Sequence, residues 1–169
     1  MTYQENYQKW VDFADLPDYL RRDLESMDEK TKEDAFYTNL EFGTAGMRGL
    51  IGAGTNRINI YVVRQATEGL ARLIESKGGN EKERGVAIAY DSRHFSPEFA
   101  FESAAVLAKH GIKSYVFESL RPTPELSFAV RHLNCFAGIM ITASPFHQYH
   151  EVGCRQSSCL YRILQSRLG

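Results

Sequence analysis

The residues best suited to chemistry in this sequence stand at the end of an apolar run. Residues 138–144 read Gly-Ile-Met-Ile-Thr-Ala-Ser, so the run ends in the hydroxyl side chains of Thr142 and Ser144. A buried strand that ends in this way presents its last side chains at the carboxyl edge of an open α/β sheet, where such folds bind ligands. Three earlier loops of the chain are expected to reach the same edge, and on that basis we predict that Ser144 is a nucleophile that carries a phosphoryl group.

A glycine-rich segment offers groups that suit phosphate oxygens. Residues 40–49 read Leu-Glu-Phe-Gly-Thr-Ala-Gly-Met-Arg-Gly. Glycines such as Gly46 let the backbone approach a ligand closely and adopt positive φ. Thr44 adds a hydroxyl, and Arg48 adds a planar cationic fork. A tight turn without a ligand is the alternative interpretation, because a single glycine-rich loop is weak evidence.

Polar residues also follow the next apolar run of the chain. Residues 86–90 read Val-Ala-Ile-Ala-Tyr and lead directly into Asp91, Ser92 and Arg93. A strand that is apolar on both faces is typical of a central parallel strand, so these side chains should reach the same edge as Ser144. Ser96-Pro97-Glu98 then predicts the start of a helix, with serine as its cap.

The elements that must position these residues alternate along the chain. Helices are expected over residues 3–38 and 60–77 and after Ser96 and Pro124, and strands over residues 86–90, 112–117 and 135–141. This order predicts a three-layer α/β/α fold with a mostly parallel sheet and a helical N-terminal lead-in. We divide the chain into a lead-in at 1–39, an α/β domain at 40–144 and an atypical tail at 145–169.

Composition narrows the possible partners. The chain has 169 residues, a net charge of −1 and 43% hydrophobic residues, which favours a single globular domain that binds neither nucleic acid nor a membrane surface. The polar N-terminal stretch does not resemble a signal peptide. Three cysteines are too few for a disulfide framework, so we expect a cytoplasmic protein.

Four segments, in this order and spacing, resemble the α-D-phosphohexomutases, that is, domain I of the phosphoglucomutase/phosphomannomutase group and above all its bacterial α-phosphoglucomutases. They are Phe42-Gly43-Thr44-Ala45-Gly46-Met47-Arg48-Gly49, Tyr90-Asp91-Ser92-Arg93, Arg121-Pro122-Thr123-Pro124-Glu125-Leu126 and Thr142-Ala143-Ser144. Each segment is weak evidence alone, whereas the four together are specific.

The resemblance implies an isomerase that interconverts glucose 1-phosphate and glucose 6-phosphate, or the mannose equivalents, through a bisphosphorylated sugar. It implies that Ser144 carries the phosphoryl group, that its phosphate is a ligand of Mg²⁺, and that glucose 1,6-bisphosphate is the activator. Arg48 would lie beside that group and stabilise the phosphoryl group in transfer. Support of the phosphate loop would fall to Thr44, Gly46, Asp91, Arg93 and Thr142, with Thr44, Asp91 and Arg93 holding loops rather than touching substrate.

The sequence departs from the family after Ser144. Family members continue with His-Asn-Pro and, shortly afterwards, a lysine, whereas this chain continues with Pro145-Phe146-His147 and has no lysine after Ser144. A shifted reading frame or an early stop would account for a tail of this kind. The resemblance also implies three further domains, which bind Mg²⁺, read the sugar and hold the non-reacting phosphate. None of their motifs occurs in this sequence, so we expect little mutase activity from this polypeptide alone. The alternative is a non-catalytic, truncated remnant or interaction domain that self-associates through an uncovered domain interface.

Two other chemistries are open to the tail and to Ser144. His147, His150, Cys154 and Cys159 are zinc-type ligands, but their spacing matches no common zinc finger. A serine hydrolase is disfavoured because Ser144 lacks the flanking glycines of a nucleophile elbow.

Overall fold

The fold joins a helical region to a six-stranded sheet. A computed structural model of the chain describes residues 2–44, 46–92, 94–142 and, as backbone only, 158–165. The helical region consists of α1 (Tyr3–Val11), α2 (Asp18–Ser26) and α3 (Glu29–Phe36). Within the described residues, no helix is both long and apolar enough to cross a membrane.

Local signals explain the helical region. Thr2 and Glu5 form a reciprocal capping box at the start of α1, and the Asp28 carboxylate accepts from the Thr31 amide, 2.8 Å away, at the start of α3. The three helices pack around the fully buried ring of Phe36, with the ring centroids of Tyr7 at 5.5 Å and Trp10 at 5.8 Å. This region therefore has a small core of its own, and the predicted helical lead-in is present.

A loop at residues 52–59 attaches the helical region to the rest of the chain. The Ala53 amide donates to the Asp23 carboxylate over 2.7 Å, and the buried Arg57 guanidinium contacts the Asp34 carboxylate at 2.6 Å. The fully buried Asn59 donates to two carbonyls of the same loop and caps the next helix through its Oδ1. These contacts fix the helical region beside the sheet.

The sheet consists of β1 (Phe42–Gly43), β2 (Gly46–Leu50), β3 (Val86–Tyr90), β4 (Ser114–Val116), β5 (Ala137–Thr142) and β6 (Ser158–Gln165). Their spatial order is β1-β2-β6-β5-β3-β4. Strands β5, β3 and β4 are parallel, while β6 pairs antiparallel with both β2 and β5, and β1 pairs antiparallel with β2. The predicted parallel arrangement thus holds for β3, β4 and β5.

Helices cover both faces of the sheet and form three layers. The remaining helices are α4 (Ile60–Lys77), α5 (Glu81–Arg84), α6 (Ser96–Lys109) and α7 (Thr123–His132). Residues of α4 and α6 pack with Val86, Ile88 and Tyr90 of β3 in one core, and residues of α7 pack with Ala87 and Ala89 in another. Successive strand residues point to opposite faces, which explains this division. The predicted α/β fold is confirmed.

Two local predictions need correction. The interpretation of the tail as having no strand pattern missed β6, which forms through backbone pairing with β2 and β5. Ser96 does not cap α6: the residue at the cap position is Phe95, in a left-handed conformation, and the Ser96 hydroxyl instead bonds Asp91. The helix therefore begins at Ser96, one residue earlier than a serine cap at this position would place it.

Candidate functional site

The Asp91 carboxylate joins three elements at the carboxyl edge of the sheet. Asp91 follows β3 directly, and its amide donates to the carbonyl of Ile141 in β5 over 3.1 Å. Its Oδ2 accepts from the Thr142 hydroxyl at 2.6 Å, and its Oδ1 accepts from the Ser96 hydroxyl at 2.8 Å. Hydrogen bonds from hydroxyls to a carboxylate are short and strong. Asp91 therefore ties the ends of β3 and β5 to the first turn of α6.

Arg48 lies in register with the end of β5. In the antiparallel pairings of β6, Leu160 is opposite Arg48 on one side and opposite Thr142 on the other. Neighbouring strands are 4.7–4.9 Å apart, so the backbones at Arg48 and Thr142 are about 10 Å apart. Directly opposed residues of an antiparallel pair point to the same face. Arg48 and Thr142 therefore share one face of the sheet.

Burial identifies that face. Met47 and Ile141 both belong to the core beneath α4 and α6, so their neighbours in sequence, Arg48 and Thr142, point to the opposite face, the one covered by α7. Arg48 is exposed, and within the described residues its guanidinium makes no hydrogen bond or ion pair. The Arg48 guanidinium on the α7 face can therefore bind an anion at the end of β5.

The glycine-rich segment is a hairpin. β1 and β2 pair through Phe42 with Met47 and Gly43 with Gly46, and the exposed Thr44 lies in the connecting turn. Gly46 has φ 108°, a conformation that residues with a Cβ rarely adopt. The turn interpretation therefore describes the backbone, while the hairpin also carries Arg48 to the sheet edge.

The loop after β4 adds Arg121, a residue of one of the four family-like segments to which the sequence assigned no role. The Arg121 amide donates to the carbonyl of Tyr90 over 3.1 Å, so this loop reaches the same edge as Asp91. The Arg121 guanidinium bonds the Glu125 carboxylate at 2.9 Å. The prolines Pro122 and Pro124 were the sequence signal for a fixed loop at this point. The sequence did not reveal that the amide of Arg121 bonds the end of β3.

Several predicted groups lie outside the described residues. These are Ser144 and Arg93 of the candidate site and His147, His150 and Cys154 of the candidate zinc site; of Cys159 only the backbone is described. The structure therefore brings together Asp91, Thr142 and, across β6, Arg48, with Thr44 and Gly46 on the same hairpin as Arg48. Among the described residues, no group of three or more His, Cys, Asp or Glu side chains could hold a metal ion. These residues alone do not fit a magnesium site.

Comparison with known proteins gives one consistent result. Residues 39–149 match the family model of the phosphoglucomutase/phosphomannomutase alpha/beta/alpha domain I. A phosphoglucomutase of Staphylococcus epidermidis is 42% identical over 136 residues, covering 80% of this chain and 24% of the relative. Another, of Staphylococcus aureus strain RF122, is 48% identical over 113 residues, covering 67% of this chain and 20% of the relative.

A solved structure agrees with the sequence matches. A protein from Thermus thermophilus, described as a phosphomannomutase, superposes with a TM-score of 0.57 at 28% identity, over 74% of this chain and 26% of that one. The chain thus spans about a quarter of the length of the curated relatives it matches, 24% for the Staphylococcus epidermidis protein.

Proposed function

Because the chain belongs to the phosphoglucomutase/phosphomannomutase family through its domain I, we propose that it carries the phosphoserine loop of a sugar-phosphate mutase. Ser144 is the proposed phosphoryl carrier and Arg48 the cation that stabilises the phosphoryl group in transfer. The observation that carries the proposal is that Arg48 and Thr142 lie in register on one face of the sheet. Ser144 follows Thr142 by two positions in the sequence.

The proposed step loads the serine from a bisphosphorylated sugar. The bond between phosphorus and one sugar oxygen breaks, and a bond forms between phosphorus and the Ser144 Oγ. The hydroxyl proton of Ser144 ends on the released sugar oxygen, so a sugar monophosphate leaves. Asp91 supports the step indirectly, because its bond to Thr142 holds the end of β5 beside β3. The family resemblance implies that Mg²⁺ binds to the phosphate on Ser144, and no part of the step described here depends on that ion.

Intact-mass measurement after incubation with glucose 1,6-bisphosphate tests the proposal. We expect the wild-type chain to gain one phosphoryl group, and Ser144→Ala to gain none. Arg48→Gln should load on the order of 10²-fold more slowly, since a charge that stabilises the transition state is lost. Arg131→Gln is the matched control, because Arg131 is an exposed arginine in the last turn of α7, away from this edge. A wild-type chain that stays unmodified contradicts the proposal.

A further inference from the structure

A stack of three aromatic rings connects the helical region to the carboxyl edge. Tyr19 of α2 stacks on Phe95 with a centroid separation of 4.9 Å and an interplanar angle of 27°. Phe95 stacks in turn on the fully buried Phe99 of α6, at 5.9 Å and 23°. We call Tyr19, Phe95 and Phe99 the aromatic stack. It is a direct contact between a helix outside the α/β layers and the residue that precedes α6.

The middle ring belongs to a residue in an uncommon conformation. Phe95 has φ 67° and ψ −5°, the left-handed region, which bulky residues occupy only when their surroundings hold them there. The Phe95 carbonyl accepts the Phe99 amide at 2.9 Å and so begins α6. The next residue, the buried Ser96, donates its hydroxyl to Asp91. The conformation of Phe95 therefore sets where Ser96 meets Asp91.

We propose that the ring of Tyr19 is a positioning group for the candidate site: it holds Phe95 in the left-handed conformation and thereby fixes Ser96 against Asp91 and Thr142. The contacts run from Tyr19 through Phe95 to Ser96 and Asp91, and end at the last residue of β5. In this proposal the helical region helps to position the residues of the candidate site. The effect of Tyr19 on phosphoryl transfer rests on the proposed function. The effect of Tyr19 on the positions of Phe95, Ser96 and Asp91 does not, and it can be tested separately.

The aromatic ring of Tyr19, and not its hydroxyl, holds Phe95 in place. Among the described residues no hydrogen-bond partner reaches the buried Tyr19 Oη. Burial raises the pKa of Tyr19 to about 12, so the group stays neutral at physiological pH. A hydroxyl without a partner adds nothing to the link, and this predicts that phenylalanine substitutes for Tyr19 while leucine does not.

Native-state hydrogen exchange tests the structural link. We expect Tyr19→Leu to raise the exchange rates of the Phe99 and Asp91 amides by about tenfold, because both amides bond within the positioned edge. Tyr19→Phe keeps the ring and should restore wild-type rates. The Cys135 amide, which bonds the Val130 carbonyl at 2.8 Å after α7, is the internal reference and should not change.

Tyr7→Leu is the matched control variant. Tyr7 is a half-buried tyrosine of the same helical region that packs on Phe36 at 5.5 Å and takes no part in the aromatic stack. Tyr7→Leu should therefore leave the exchange rate of the Phe99 amide unchanged. Unchanged Phe99 exchange in Tyr19→Leu overturns the proposal, and so does an equal rise in Tyr7→Leu, because either result removes the specific role of Tyr19.

Phosphoryl loading tests the catalytic meaning separately. If wild-type protein gains a phosphoryl group from glucose 1,6-bisphosphate, Tyr19→Leu should load about tenfold more slowly and Tyr19→Phe at the wild-type rate, since misplaced groups slow transfer. An undiminished rate in Tyr19→Leu overturns the catalytic part. If wild-type protein gains none, the proposed function fails, and the exchange result alone then decides whether Tyr19 positions the edge.

Discussion

The carboxylate of Asp91 accepts hydrogen bonds from two hydroxyl groups that are distant from each other in the chain. Ser96 belongs to α6 and Thr142 to β5, and their bonds to Asp91 are 2.8 and 2.6 Å long. The role predicted for Asp91, holding loops rather than touching substrate, stays a prediction, and this geometry agrees with it. A carboxylate whose two oxygens are already engaged is better suited to fixing backbone than to taking a proton from substrate.

Removal of one of these hydroxyls should cost stability. Thr142→Val keeps the shape of the side chain but leaves the Asp91 carboxylate one donor short, so we expect a loss of about 1–2 kcal/mol in the free energy of unfolding. Thr142→Ser keeps the hydroxyl and should lose less. Urea denaturation of the two variants measures the difference. If valine proves as stable as threonine, the bond contributes nothing.

His110 should make stability depend on pH. Its ring nitrogens contact the Glu68 carboxylate at 2.8 Å and the Glu75 carboxylate at 3.2 Å, and these bonds raise the pKa of His110. Lys82 also bonds Glu75 and the His110 carbonyl, and Arg72 bonds Glu68. A raised pKa in the folded state stabilises the protein at pH values below the ordinary value of about 6.5, and this contribution is lost as the pH rises through the raised value.

His110→Gln should therefore flatten the pH dependence. Wild-type protein should lose more thermal stability between about pH 6 and pH 8 than the variant does. The acidic partners act in the opposite direction. His110 and Arg72 lower the pKa of Glu68, and Lys82 and His110 lower the pKa of Glu75, so the contribution of these carboxylates disappears on acidification. Thermal melts across this pH range measure the effect, with His132→Gln, an exposed histidine of α7, as the control. Equal slopes for wild type and His110→Gln would refute the assignment.

At the scale of the element, two glycines should respond in opposite ways to alanine. Gly54 has φ 132°, and a Cβ there would lie 2.5 Å from the Ala35 carbonyl oxygen of α3, so Gly54→Ala should cost about 1–3 kcal/mol. Gly69 lies within α4, and a Cβ there would meet nothing within 4 Å, so Gly69→Ala should add about 0.5–1 kcal/mol. Chemical denaturation of both variants checks the pair, and a destabilised Gly69→Ala would contradict this account.

The elements that the sequence predicts well are those whose signals are local. The helix α4 begins and ends where expected, at Ile60 and Lys77, because Asn59 caps its start and Gly78 its end. The strand β3 also has the predicted bounds, Val86–Tyr90, since an apolar run between polar segments marks it clearly. Periodicity and capping act within a few residues, so a single sequence displays them.

The features that the sequence did not predict depend on distant pairing. β6 pairs with β2 on one side and β5 on the other, and the short, mostly apolar run at residues 159–164 does not by itself reveal these distant partners. The bond between Asp91 and Thr142 spans 51 positions and depends on the register of β3 against β5. The serine cap predicted for α6 failed because Phe95 adopts a left-handed conformation that only tertiary contacts support.

At the scale of the whole molecule, we expect the chain to accept a phosphoryl group on Ser144 but to convert glucose 1-phosphate only slowly. The chain covers 24% of the length of a curated relative. We therefore predict that purified chain converts glucose 1-phosphate far more slowly than a full-length phosphoglucomutase, because transfer needs electrostatic stabilisation from several groups. A coupled assay for glucose 6-phosphate measures the rate, with Ser144→Ala as the blank. A rate near that of the full-length enzyme would contradict the prediction.

The position of β6 has a consequence for biosynthesis. The hairpin at residues 42–50 leaves the ribosome early, yet it joins the sheet through a strand translated about a hundred residues later. Strands β4, β3 and β5 pair with one another through residues up to Thr142, so they can assemble before β6 joins them. Until the last strand enters, β2 and β5 each display a bare edge to which a neighbouring nascent chain can add. We therefore expect a folding intermediate in which only β6 is still unpaired to be the form of this protein that depends most on chaperones.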